Sequence, residues 1–194
     1  MSASQPSFYF DLSSPDAYLA AERAAEVLGT VPEWVPVLAD ALPGGGESFR
    51  CAEEREIFQA GVERRAAEQG VQPVVWPAGW PGDPRPAMLV ATYARQVGRV
   101  VAFSLAAFRQ AFAAGRDLSA RDGVIVAAAG CELHPRAVLQ ALETRATAAA
   151  LDEATREAAA AGVTRVPAIR VDGDVFEGAD CLEQAATAIR AAVR

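Results

Sequence analysis

The sequence predicts an α/β fold: a strand–helix–strand unit at the start and a helix–strand–strand–helix unit at the end close into one small sandwich. An all-helical block is inserted between them. Three observations predict this. Aromatic and β-branched runs bounded by turn residues stand near the two ends. The stretch between them carries helical periodicity punctuated by Gly and Pro. Alanine, the best helix former, recurs in runs such as 127–129 and 158–161. The expected limits are 1–40 with 146–194 for the α/β part and 41–145 for the helical insertion. A chain of 194 residues fits one domain with such an insertion, and an apolar share of 52% supplies a core and excludes a disordered chain.

Ser7–Asp11 (SFYFD) reads as a short buried strand. Ser14 followed by Pro15 is a helix start, with Ser14 as N-cap and Pro15 at the first helical position. That helix runs to about Leu28 and stops at Gly29. Val31–Leu38 is a second strand whose two prolines suit a sheet edge. In the insertion, Glu47–Gln69 is helical and densely charged, and Val71–Pro86 is a Pro/Gly/Trp-rich loop. Helices are expected at Ala87–Val97, Leu105–Ala114, Ala120–Gly130 and Pro135–Thr144. The closing unit has a helix at Leu151–Ala161, a strand at Ala168–Val171 and an Asp172-Gly173 hairpin turn. The return strand is Val175–Phe176, and a last helix covers about Asp180–Ala192.

Charge and composition exclude several functions. A net charge of −7 lacks the basic face that nucleic acid or an anionic membrane requires. All 18 basic residues are Arg, and without Lys there is neither a Schiff base nor a P-loop. Cys51, Cys131 and Cys181 are too scattered to set a disulfide framework or a zinc site. Met1–Phe10 has no basic residue and no long apolar core, so no signal peptide is expected. The longest apolar stretches are too short to span a bilayer, which makes a cytoplasmic protein the expectation.

Two local features could carry chemistry. Ser14 sits where a helix N-terminus offers free N–H groups and a positive dipole end to an anion, a thiolate included; a plain helix cap is the alternative. Val166-Pro167, placed directly before a strand, is a candidate cis bond that would turn the Val166 N–H and C=O outward toward an extended ligand. An ordinary trans proline at a strand start is the alternative there. Trp76 and Trp80 could stack on an aromatic substrate or pack the insertion against the α/β part. Arg85 could bind a substrate carboxylate or be a solvated loop residue. His134, the single histidine, reads as a helix-start residue, and Cys181 as a packing group.

The combination resembles a known family. The residues are Phe8-Tyr9-Phe10-Asp11-Leu12-Ser13-Ser14-Pro15 with Ala17-Tyr18-Leu19, then Glu33-Trp34-Val35-Pro36-Val37-Leu38. Ala102-Phe103-Ser104 to Phe112, Gly115-Arg116-Asp117, Gly162-Val163, Val166-Pro167, Val171-Asp172-Gly173 and Phe176-x-Gly-x-Asp180 continue the match. The chain resembles the DsbA-like group of thioredoxin folds with a helical insertion. Within that group it is similar to the 2-hydroxychromene-2-carboxylate isomerases and the kappa-class glutathione transferases. DsbA-like oxidoreductases begin the first helix Cys-x-x-Cys. Here those positions read Ser14-Pro15-Asp16-Ala17, so dithiol–disulfide exchange there has no thiol to use.

The resemblance implies glutathione, or another low-molecular-weight thiol, as cofactor. Ser14 would hold its sulfur as thiolate, Val166 and Pro167 would align its backbone, and Asp180, after Ala179, would pair with its amine. The implied isomerase reaction is thiolate addition to a hydroxychromene-type carbon, ring opening, bond rotation and loss of the thiol. The implied partners are a small aromatic carboxylate or electrophilic substrate and a second copy in a homodimer. A transferase shares the same site. A third possibility is an oxidoreductase-like protein without the Cys pair, and a fourth is a thiol- or peptide-binding protein without catalysis. Ala179 stands where the transferases often have Ser, and Pro84-Arg85-Pro86-Ala87-Met88 replaces an expected Pro-x-Asn segment.

Overall fold

A computed structural model of the chain describes residues 5–192. The start of the Met1–Phe10 segment and the last two residues of the closing unit lie outside the described residues. The elements run β1 (Ser7–Phe10), α1 (Pro15–Leu28), β2 (Glu33–Pro36), α2 (Ala52–Glu68), α3 (Arg85–Gln96), α4 (Val100–Phe108), α5 (Arg121–Ala129) and α6 (Pro135–Glu143). α7 (Arg145–Ala160), β3 (Ala168–Val171), β4 (Asp174–Glu177) and α8 (Cys181–Ala192) complete the fold.

The sheet has the order β2-β1-β3-β4. β1 pairs parallel with β2 and antiparallel with β3, and β3 pairs antiparallel with β4. β2 is therefore an edge, where Pro36 breaks no central ladder. Strand alternation splits β1 between two cores. Phe8 and Phe10 face α1, α3, α4 and α8 together with Trp34, whereas Tyr9 joins Val35, Val37, Ala154 and Ala158 on the side covered by α7. Trp34 stands edge-on to Phe8 at 4.9 Å between ring centroids, a favoured aromatic geometry. Asp172 and Gly173 both have positive φ, 48° and 105°, which is the backbone a two-residue hairpin loop needs.

Four helix starts shift by two residues or more from the sequence expectation, each for a physical reason. α2 begins at Ala52, not near Glu47, because Pro43 and Gly44 form a turn, Gly45 takes a left-handed φ of 69°, and the Glu47 side chain is engaged elsewhere. α3 begins at Arg85, since Pro84 and Pro86 fall at its N-terminal end, where a missing N–H costs nothing. α4 begins at Val100, right after the Gly98 break, and runs into a π-helical turn at Arg109–Ala113. α7 begins at Arg145, because the Ala-rich stretch after Thr144 contains no breaker.

Candidate functional site

The C-terminal end of β1 turns into α1 through four residues that converge on one place. Asp11 is fully buried at that turn. Its carboxylate accepts hydrogen bonds from the Ser13 N–H at 2.9 Å, the Ser13 hydroxyl at 2.8 Å and the Ala39 N–H at 2.9 Å. Burial pushes the Asp11 carboxyl above its ordinary range, against the lowering effect of those donors. The Leu12 N–H points at the Met88 sulfur at 3.2 Å, and the Ser13 C=O accepts from Trp80 Nε1 at 2.9 Å. The turn is thus held from the sheet side and from the insertion.

Ser14 follows as the N-cap of α1, with its Oγ 3.4 Å from the Ala17 N–H. Its hydroxyl donates to Glu47 Oε1 at 2.8 Å, and the residue is 0% exposed. Glu47 is half-buried on the segment between β2 and α2. Burial pushes its carboxyl to about 7, with Asp11 and Asp16 adding like-charge repulsion and the Ser14 hydroxyl opposing the rise. Asp16, in the first turn of α1, is paired with Arg65 of α2 at 2.5 Å.

A raised acid makes stability fall with pH, because the folded protein holds the proton longer than the unfolded chain. For Glu47 the window lies between its ordinary 4.5 and about 7. We expect denaturant unfolding of the wild type to show a loss of stability across that window. Glu47→Gln should flatten the Glu47 part of the decline, and an unchanged profile would contradict the assignment.

At the same end of the sheet, where Ala168 pairs with Tyr9, the Val166–Pro167 peptide bond is cis, and Pro167 is buried. Among the described residues, the Val166 N–H and C=O have no hydrogen-bond partner. The approach to Val166 is held by Glu177, whose carboxylate accepts from the Thr164 N–H, the Thr164 hydroxyl at 2.7 Å and the Arg165 N–H at 3.1 Å. Ala179 and Asp180 form the turn into α8. Asp180 is exposed, and among the described residues its carboxylate has no partner.

Trp76 and Trp80 both pack within the insertion, and Trp80 alone of the two also reaches a cavity. Trp80 is buried in an aromatic cluster, nearly parallel to Phe58 at 5.9 Å and tilted against Phe49 and Trp76. One face of it also lines a cavity of about 190 Å³ beside Leu12 and Ser13. Trp76 donates its Nε1–H to Glu63 at 2.7 Å and does not line that cavity. A second cis proline bond, Trp80–Pro81, stands in the same loop. Arg85 lies away from the cavity and reaches Asp152 of α7 at 3.2 Å. Arg116 stands at the cavity instead, with no side-chain partner among the described residues. The π-helical turn brings Phe112 onto the same wall.

The structure therefore gathers Ser14, Trp80 and the β1–α1 turn into one neighbourhood and leaves Arg85 outside it. Sequence reading missed Glu47, which was absorbed into a charged helix. The Gly44-Gly45-Gly46 run just before it was the available signal that the helix starts later. It also missed Arg116 as the cation at the cavity.

A family model described as the DSBA-like thioredoxin domain matches residues 7–190. By sequence, no curated protein matches the chain. Among solved structures, a 2-hydroxychromene-2-carboxylate isomerase superposes with TM-score 0.83 at 21% identity, covering 98% of this chain and 97% of its own. A probable DsbA oxidoreductase from Streptomyces coelicolor gives TM-score 0.79 at 21% identity, with 97% and 89% covered. The cytosolic disulfide reductase DsbM from Pseudomonas aeruginosa, in a structure with glutathione, gives TM-score 0.63 at 17% identity, with 98% and 97% covered.

Proposed function

We propose a function from one premise: the chain belongs to the DSBA-like thioredoxin domain family, as the match over residues 7–190 shows. Its members with a Cys-x-x-Cys helix start exchange disulfides, and this chain has Ser14 and Ala17 at those two positions. Our reading is a glutathione-dependent isomerase acting on a small aromatic carboxylate of the 2-hydroxychromene type. The observation that carries it is Ser14, a buried hydroxyl capping α1 where the disulfide-exchanging members have a thiol.

The residues present fit a bound tripeptide thiol. The unpaired Val166 N–H and C=O beside a cis proline suit main-chain pairing with an extended ligand. The unpartnered Asp180 carboxylate suits its ammonium end. The Ser14 hydroxyl and the positive end of α1 suit a thiolate. Glutathione, when bound, supplies a nucleophilic thiolate that each cycle returns. Ser14 stabilises that charge by donating its hydroxyl proton as a hydrogen bond. Trp80, Phe112 and Leu118 give the cavity next to Ser13 an apolar wall, and Arg116, which shares the rim with Asp83 and Asp117, suits the carboxylate of an aromatic acid. The glutathione-bound disulfide reductase and the isomerase among the structural neighbours support the choice of thiol and reaction class.

The test is calorimetric titration of glutathione, followed by incubation with 2-hydroxychromene-2-carboxylate. We expect a Kd on the order of micromolar to millimolar, competition by S-methylglutathione, and turnover without consumption of the thiol. Stoichiometric consumption would assign a transferase. Absence of both heat and competition would overturn the glutathione reading.

A further inference from the structure

Ser14 is fully buried, yet a hydroxyl that holds a ligand thiolate has to be reached. What lies on it is the Glu47 carboxylate, brought there by the glycine run Gly44-Gly45-Gly46. Besides the turn bond from the Gly45 N–H to the Leu42 C=O at 3.0 Å, two contacts tie this short strap to distant parts of the chain. The Gly44 N–H donates to the Thr164 C=O at 2.7 Å, two residues before Val166. Glu47 accepts from Ser14 at 2.8 Å at the start of α1. The strap therefore joins the two sides of the candidate thiol site.

We infer that Gly44–Glu47 is a latch over Ser14: the Glu47 carboxylate occupies the anion position at the N-terminus of α1 and yields it to an incoming thiolate. The inference rests on the thiol-binding reading for the identity of the incoming anion. Its basis in the chain is simple chemistry. One hydroxyl donates one hydrogen bond, so carboxylate and thiolate are mutually exclusive partners of Ser14.

The latch is built to release. Glu47 has no ion-pair partner among the described residues. The charged groups around it are acidic: Asp11 at the end of β1, Asp16 in α1, and Asp40, which lies against Gly46. Arg65 of α2, which packs near this end of α1, is already paired with Asp16. Gly45, with φ of +69°, supplies a backbone conformation that other residues resist and a freedom that suits a hinge. A side chain at Gly44 would meet the Thr164 C=O at 2.7 Å, so the strap lies flush there only as glycine.

The experiment has two arms, each applied to the full chain as wild type, Glu47→Gln and Glu47→Ala. Amide hydrogen exchange without ligand reads the latch itself. Exchange over residues 43–48 is expected to accelerate about tenfold in Glu47→Ala, which leaves Ser14 no acceptor, while β1 and α8 stay protected; Glu47→Gln keeps an acceptor and loses only the charge. No acceleration in Glu47→Ala overturns the latch, whatever the ligand. Calorimetric titration of glutathione reads the competition, with affinity expected to rise about tenfold in the variants. Equal or weaker binding by the variants overturns the competition and leaves the glutathione reading intact. No binding by any of the three proteins overturns the glutathione reading and the thiolate part of the inference, while exchange still decides the latch.

Discussion

Ser14→Ala is expected to fold and to lose the ultraviolet thiolate absorbance that glutathione gains on binding the wild type. Two energies set the expectation. The cap is modest, since the Ala17 N–H is 3.4 Å from Ser14 Oγ and a lost cap costs about 1 kcal/mol. In a chain of this size that lowers Tm by roughly 2–4 °C. A hydrogen bond to a charged group contributes about 1.5–3 kcal/mol, so affinity for the thiolate form should fall about ten- to a hundredfold. Binding of S-methylglutathione, which carries no thiolate, should change far less. The removed hydroxyl also leaves Glu47 without its donor, which pushes that carboxyl further upward. Unchanged thiolate absorbance in the variant would remove Ser14 from the proposed role.

Asp11→Ala carries the largest expected effect on stability. The carboxylate is fully buried and accepts three hydrogen bonds, from the Ala39 N–H and from both donors of Ser13. Alanine leaves those donors facing a cavity, and each unsatisfied buried donor costs about 1–3 kcal/mol. Ser13 is half-buried and recovers part of its loss through water. A net destabilisation of roughly 3 kcal/mol follows, or about 6–12 °C in Tm. The pH signature is separate. Because the Asp11 carboxyl titrates above 3.8 in the fold, its ionisation costs stability as pH rises from that value toward the raised one. The alanine variant should lack that component. A destabilisation below about 0.5 kcal/mol, the range of an ordinary surface change, would show that the three bonds contribute nothing net.

The two effects are coupled by geometry. Asp11 fixes Ser13 and ties the β1–α1 turn to Ala39 after β2, and Trp80 fixes the Ser13 carbonyl from the insertion. Ser14 is therefore placed by its neighbours before any ligand arrives. Asp11→Ala should weaken glutathione binding as well as stability, whereas Ser14→Ala should weaken binding with little loss of stability.

Local chemistry in the chain was enough for much of this. Ser14-Pro15 starts a helix and Gly29 ends it, because cap geometry depends only on adjacent residues. Asp172-Gly173 makes the hairpin turn for the same reason. The Phe8-Tyr9-Phe10 alternation sets the strand faces, and the placement of Pro167 before β3 goes with a cis bond. The residues at 14 and 17, Ser and Ala in place of Cys, determined by themselves which family chemistry this helix start has given up.

Other features depended on which loop lies over which element. Glu47 looked like one more charge on a helical face, and only the fold brings it against Ser14, thirty-three residues away. Arg85 and Arg116 are indistinguishable as residues, yet Asp152 of α7 takes the first while the second stands at the cavity. Trp80 was equally fit for stacking or for packing until Phe49, Phe58 and Ser13 closed around it. Caps, turns and alternating faces are short-range and written in neighbouring residues. The partner of a buried hydroxyl, or of a charge, is fixed by long-range packing, and that only the tertiary structure decides.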